Sequence, residues 1–234
     1  MIVQRLSSPS RREALWPWML VLLGIVCLSM KTGYALLEPR LAEAWLHFWG
    51  FVPTEVNEVL ARGPGAWLDQ HLLGLVTALF VHAEWLHLIG NLAYLWVFGI
   101  AVERAIGHWS FFALFLVLGS MANLAVAWQM GDAAIPVIGA SGGVSAIIGI
   151  YLGLFPNCRM GLWIPLGLFL QFVRVPALLV IGSWFILQLL YSAFGPMSGA
   201  VAWWSHVAGF IGGLAVALFL RLFSGISSAP FHDD

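Results

Sequence analysis

The chain has 234 residues, of which 61% are hydrophobic and 9% charged, and its formal net charge is −1. Its mean hydropathy is +0.92. A water-soluble domain carries about a quarter charged residues, so this composition excludes one, and the charge balance offers no basic field for nucleic acid.

Apolar runs near 20 residues recur along the whole length, the pattern of an all-α polytopic membrane protein with six transmembrane helices. Residues 1–15 form a polar N-terminal segment. They do not read as a cleavable signal peptide, because the apolar run continues too far and no small-residue cleavage site follows. The spacing then predicts spans over Trp16 to Leu37, Leu75 to Val102, Trp109 to Gln129, Val137 to Phe155, Pro176 to Phe194 and Trp203 to Phe223. Residues 16–223 thus make one membrane domain and 224–234 a short tail. Between the first two spans, residues 38–74 form a long loop whose Trp45, Phe48, Trp49, Phe51 and Trp67 favour the membrane boundary. Between the fourth and fifth, Gly161 to Val173 is expected to lie at the interface or dip in, since Pro176 biases its predecessor away from helix. Cys27 and Cys158 fall at different depths, which disfavours a disulfide, and two thiols are too few for a zinc site.

Arginine and lysine placement sets the orientation. With both termini cytoplasmic, the inner side receives Arg5, Arg11, Arg12, Arg104, Arg159, Arg174 and Arg221, against Lys31, Arg40 and Arg62 outside.

Polar residues inside apolar spans are costly and mark function by default. One cluster is His82, His87 and Asn91. His87 and Asn91, four apart, share a helical face, while His82 is expected just ahead of the helix. A second is Gly139-Ala140-Ser141-Gly142-Gly143, where Pro136 and Gly139 put Ser141 at a helix N-terminus with its free N–H groups. Taken alone, Ser141, Gly142, Ser145 and Gly149 read better as a small-residue packing face, since Gly and Ser are common in membrane helices. The soluble nucleophile elbow is excluded, because no strand precedes the serine. The third cluster is His206, Gly209 and Gly213, within about 60° of one another on a helix. That stripe allows close approach to a neighbouring helix and fixes His206 against it. In this topology all three clusters lie toward the outer face. A neutral His206 can take the Ser141 proton, and Asn91 and His87 can donate to an oxyanion. Apart from Glu84, next to the His82 segment, no carboxylate lies in the spans, and none is left to orient His206, so the reading is a Ser-His dyad.

These residues resemble the rhomboid family of intramembrane serine proteases, through His82-x4-His87-x3-Asn91, Gly139-x-Ser141-Gly142 and His206-x2-Gly209-x3-Gly213, over about Val76 to Leu220. The resemblance implies Ser141 as nucleophile, His206 as base, and His87, Asn91 and the Ser141 N–H as oxyanion hole. It implies an accessory structural role for His82, Gly139, Gly142, Gly209 and Gly213, and likens Glu103-Arg104 to the charged pair that ends the second span. It calls for no metal and no cofactor, and for transmembrane protein substrates in a lipid bilayer, here a bacterial inner membrane. Two positions depart from the family pattern. Ser145 stands where many relatives place an aromatic on the histidine, and Leu73-Gly74 stands where some carry a Trp-Arg pair. Either something other than residue 145 positions His206, or the ring is held less firmly.

Rival readings weigh less. His82-Ala-Glu84-Trp-Leu-His87 nearly spells a zinc-protease helix, but histidines five apart do not share one face. An aspartyl protease lacks intramembrane aspartates. A transporter would be expected to show an inverted repeat. The alternative kept open is a non-proteolytic rhomboid-like chaperone or trafficking protein.

Overall fold

The computed structural model describes residues 16–66, 69–166, 169–194 and 202–224. The N-terminal segment 1–15, Trp67 of the long loop and the tail beyond Ser224 lie outside the described residues. Among the described residues, nine α-helices and one hairpin follow in order: α1 (Trp18–Ala35), α2 (Pro39–Trp49), α3 (Pro53–Ala61), α4 (Gln70–Thr77), α5 (Trp85–Ile106), α6 (His108–Gln129), α7 (Ser141–Leu154), β1 (Arg159–Leu166), β2 (Phe169–Pro176), α8 (Ala177–Phe194) and α9 (Trp203–Ser224).

Among the described residues, α1, α5, α6, α8 and α9 are long and apolar enough to cross a membrane. The fourth apolar segment is shorter than its hydropathy suggests. Pro136 and Gly139 hold residues before Ser141 out of the helix, leaving α7 only 14 residues, or about 21 Å against a hydrocarbon core of about 30 Å. It is the centre of the bundle. Every α7 residue except Ser141 and Tyr151 is buried, enclosed by α5, α6 and α9. Phe111, Phe115, Ile147, Ile148, Leu154 and Phe210 fill the core around it. Large side chains such as Trp18, Ile25, Trp109, Trp128, Phe219 and Phe223 point outward. Apolar exposure on that scale suits a lipid surround, not water.

The second predicted span, Leu75 to Val102, divides. Its first residues belong to α4 and a 3-10 turn, Ala78–Phe80, and the spanning helix starts only at Trp85. His82 therefore precedes the helix. At the other end Glu103 is fully buried. Its carboxylate accepts the N–H groups of Met19 and Leu20, at 2.9 Å each, and bonds to His108. A negative group on the first turn of α1 satisfies its free donors and opposes the helix dipole.

In two regions the structure supplies elements that the sequence reading left undefined. The described residues between the first two spans form α2, α3 and α4, which pack on the bundle, with Asn57 donating to the Ala127 carbonyl and Asn123 to that of Leu75. The 161–173 stretch forms an antiparallel hairpin, with Arg159 opposite Pro176 and Leu166 opposite Phe169. An apolar run of this length reads alike as strand or helix. Pro165 decides against helix, and both edges of a two-stranded hairpin tolerate it.

Candidate active site

Three successive tethers bring the chain to Ser141. Val137 exchanges backbone hydrogen bonds with Phe51, at 2.7 and 3.1 Å. The Gly139 N–H donates to the Ala78 carbonyl at 2.9 Å. The Ala140 N–H donates to His82 Nε2 at 3.4 Å. Gly74, where a Trp-Arg pair would stand in some relatives, lets α4 lie on the backbone of Gly50: a Cβ there would meet that carbonyl. The built stretch from α2 to α4 thus braces the approach to the helix.

Gly139 meets two requirements at once. Its φ of +123° suits glycine alone, and a Cβ would sit 2.7 Å from His87 Cε1 and 3.1 Å from its Nε2. The His87 ring therefore lies directly over the turn into α7. Ser141 is the first helical residue of α7, so its own N–H is among the donors the helix cannot use internally.

His82 joins the two sides. Its Nε2 accepts from the Asn91 side-chain amide at 2.9 Å as well as from Ala140. Asn91 Nδ2 has two hydrogens, so one remains. The His82 and His87 rings meet edge to face, 5.1 Å apart. Lys31 of α1, itself buried, donates to the neighbouring Ala83 carbonyl and so fixes this segment from behind.

The opposite wall is α9, pressed against α7 with nothing between. A Cβ on Gly209 would strike the Gly142 carbonyl, and one on Gly213 the Ala146 carbonyl. On the α7 side, a Cβ on Gly149 would strike the Phe210 carbonyl. Gly142 itself faces Ala122 of α6, 2.9 Å from where its Cβ would be. The glycine stripe under His206 is thus a backbone-to-backbone seam.

His206 is buried on that seam. Its Nδ1 lies 2.7 Å from Gln188 Oε1 on α8, and its Nε2 has no hydrogen-bond partner among the described residues. The Trp184 ring stacks on it at 6.5 Å and 29°, and Trp203 meets it edge-on at 5.7 Å. Residue 145 is a buried serine, and the aromatic support for His206 comes from α8 and the start of α9 instead. Gln188, Trp184 and Trp203 are missing from the sequence-derived set. The one available signal for Gln188 is an amide inside an apolar span.

Ser141, His206, His87 and Asn91 all line one open cavity of about 250 Å³, with Ser145, Tyr94 and Trp184 on its wall. It holds a hydroxyl at a helix N-terminus, an unpartnered imidazole nitrogen and several N–H donors. Those are the parts needed for attack on a carbonyl and stabilisation of the resulting oxyanion.

A family model described as the Rhomboid domain matches residues 69–223. The Arabidopsis thaliana protein "Rhomboid-like protein 11, chloroplastic" is 40% identical over 75 residues, which is 32% of this chain and 26% of that protein. The Saccharomyces cerevisiae protein "Rhomboid protein 1, mitochondrial" is 29% identical over 96 residues, 39% of this chain and 28% of that one. The chain thus spans only about a quarter of the length of these curated relatives.

Proposed function

The chain belongs to the rhomboid family, and from its site we infer that it is an intramembrane serine endopeptidase. The observation that carries this reading is the buried His206, whose Nε2 is unpartnered among the described residues and which shares a cavity with Ser141. In the proposed reaction Ser141 Oγ attacks the scissile carbonyl while its proton passes to His206 Nε2. The oxyanion is met by the Ser141 N–H, the remaining Asn91 amide hydrogen and His87. His206 then protonates the leaving amine, and water, activated by the same nitrogen, hydrolyses the acyl-enzyme.

The substrates are membrane-spanning proteins cut near the outer boundary. With both termini cytoplasmic, in a bacterial inner membrane, α7 begins on the outer side. Because α7 is some 9 Å shorter than the hydrocarbon core, its end is recessed and water must reach it through the cavity. A substrate helix must unwind there to expose a carbonyl, so residues that weaken helices, Gly and Pro above all, are favoured near the cut. Comparative proteomics of membrane fractions tests this. Wild type should release fragments of transmembrane proteins that Ser141→Ala and His206→Ala both leave intact. Identical fragment sets in wild type and Ser141→Ala, with unchanged abundance, would favour the non-proteolytic rhomboid-like reading.

A further inference from the structure

The bond between His206 Nδ1 and Gln188 Oε1 fixes more than a ring orientation. An amide oxygen only accepts, so the hydrogen between the two atoms belongs to Nδ1. A neutral imidazole carries one ring hydrogen, and its lone pair is then on Nε2, the nitrogen without a partner among the described residues. We propose that Gln188 is the positioning residue that holds His206 in the Nδ1–H tautomer, making the site a Ser141–His206–Gln188 relay. This rests on the proteolytic reading above.

Two further observations carry it. Of the described side chains on α8, only Ala177, Ile181 and Gln188 are buried. A buried amide in an apolar span is unfavourable unless bonded, and Gln188 spends its oxygen on His206. Trp184 lies one turn earlier on the same helix, and its ring stacks on the same imidazole. One face of α8 therefore supplies both the acceptor and the aromatic wall that residue 145 does not. During attack the Oγ–C bond forms, the carbonyl electron pair moves to oxygen, and the Oγ proton goes to Nε2. The imidazolium keeps its Nδ1–H bond to Gln188 throughout. An amide sets the tautomer without burying a carboxylate, at the cost of weaker stabilisation of the cation.

The titratable groups facing His206 in the cavity are His87 and Tyr94 of α5; no carboxylate, lysine or arginine lines it among the described residues. The test uses the full chain in lipid nanodiscs with ¹⁵N-labelled histidine. In a Ser141→Ala background the His206 ring shifts should report a single Nδ1–H tautomer, and Gln188→Met should give a mixture. In otherwise wild-type protein, Gln188→Met should lower kcat about tenfold, equivalent to about 1.4 kcal/mol, with KM within about twofold. Gln188→Glu offers an acceptor to the same hydrogen and stabilises the imidazolium. It should recover most of kcat at alkaline pH, with the acid limb of the profile moved up by about one pH unit or more. A merely structural Gln188 would be rescued by Met and not by Glu. An Nε2–H tautomer in the wild-type side-chain context, or Gln188→Met with unchanged kcat and pH profile, overturns the proposal. The tautomer measurement needs no turnover, so it decides on Gln188 even if absent cleavage sinks the protease reading.

Discussion

Replacing Gly209 with alanine adds one methyl group, yet the seam between α7 and α9 has no room for it. The new Cβ would lie 3.1 Å from the Gly142 carbonyl carbon and 3.3 Å from the Ala146 nitrogen, and closer still to the Gly142 oxygen. All three are backbone atoms of α7, so no side chain can turn away. Ordinary carbon contacts need about 3.5–4.0 Å, which requires α9 to retreat by roughly an ångström. Overpacking of this kind costs about 1–3 kcal/mol, and each kcal/mol lowers Tm by about 2–4 °C for a chain of this size. His206 sits one turn earlier on α9 and moves with it. A misplacement of about 1 Å in a reacting group costs on the order of 10²-fold in rate. Gly209→Ala should therefore melt several degrees lower and lose activity out of proportion to that loss. The control is Gly182→Ala on α8, where a Cβ meets nothing within 4 Å and helix propensity gains about 1 kcal/mol. Thermal unfolding and cleavage rate, compared at equal amounts of inserted protein, check both variants. Wild-type Tm and rate in Gly209→Ala would refute the seam as the device that positions His206.

Asn91→Ala should lower kcat more than it raises KM, by about 10²–10³ for a lost oxyanion donor; a wild-type rate would assign the oxyanion hole elsewhere. Because the same amide also bonds His82, some loss of thermal stability should accompany it. Activity should fall as pH drops through the titration of His206, since only the neutral ring accepts the serine proton. A free histidine titrates near ~6.5, and a rate still rising below pH ~5 would point to carboxylate chemistry. Glu103→Leu strands the Met19 and Leu20 N–H groups, which should cost about 1–3 kcal/mol of stability while leaving the rate per folded molecule unchanged, as unfolding and kinetics on one preparation would show.

What the sequence made legible follows from range. Local signals sufficed for α1, α6, α8 and α9, where hydropathy alone marks the helix, and for the start of α7, where Pro136 and Gly139 act on the next few residues. The offset of His82 from α5 was legible too, because a spacing of five cannot keep one helical face. The rest depends on distant partners. Phe51 pairs with Val137, and nothing local in either stretch announces it, so the segment from α2 to α4 resembled an aromatic loop. The hairpin was hidden because a uniformly apolar run has no period to read. In the site, the Gly209 and Gly213 stripe forecast a close helix contact, and the structure supplies its other side in Gly142 and Ala146. Gln188 escaped because a single amide forms no motif. Its meaning appears only when α8 sets it against His206.

The central claim is that Ser141 is a nucleophile made reactive by His206, and fluorophosphonate labelling of the full chain in membranes addresses it directly. Peptide mass spectrometry should find the phosphonyl group on Ser141 in wild type, with labelling lost in Ser141→Ala and reduced to background in His206→Ala at matched abundance and Tm. An unlabelled wild-type Ser141, or equal labelling in His206→Ala, would contradict the account.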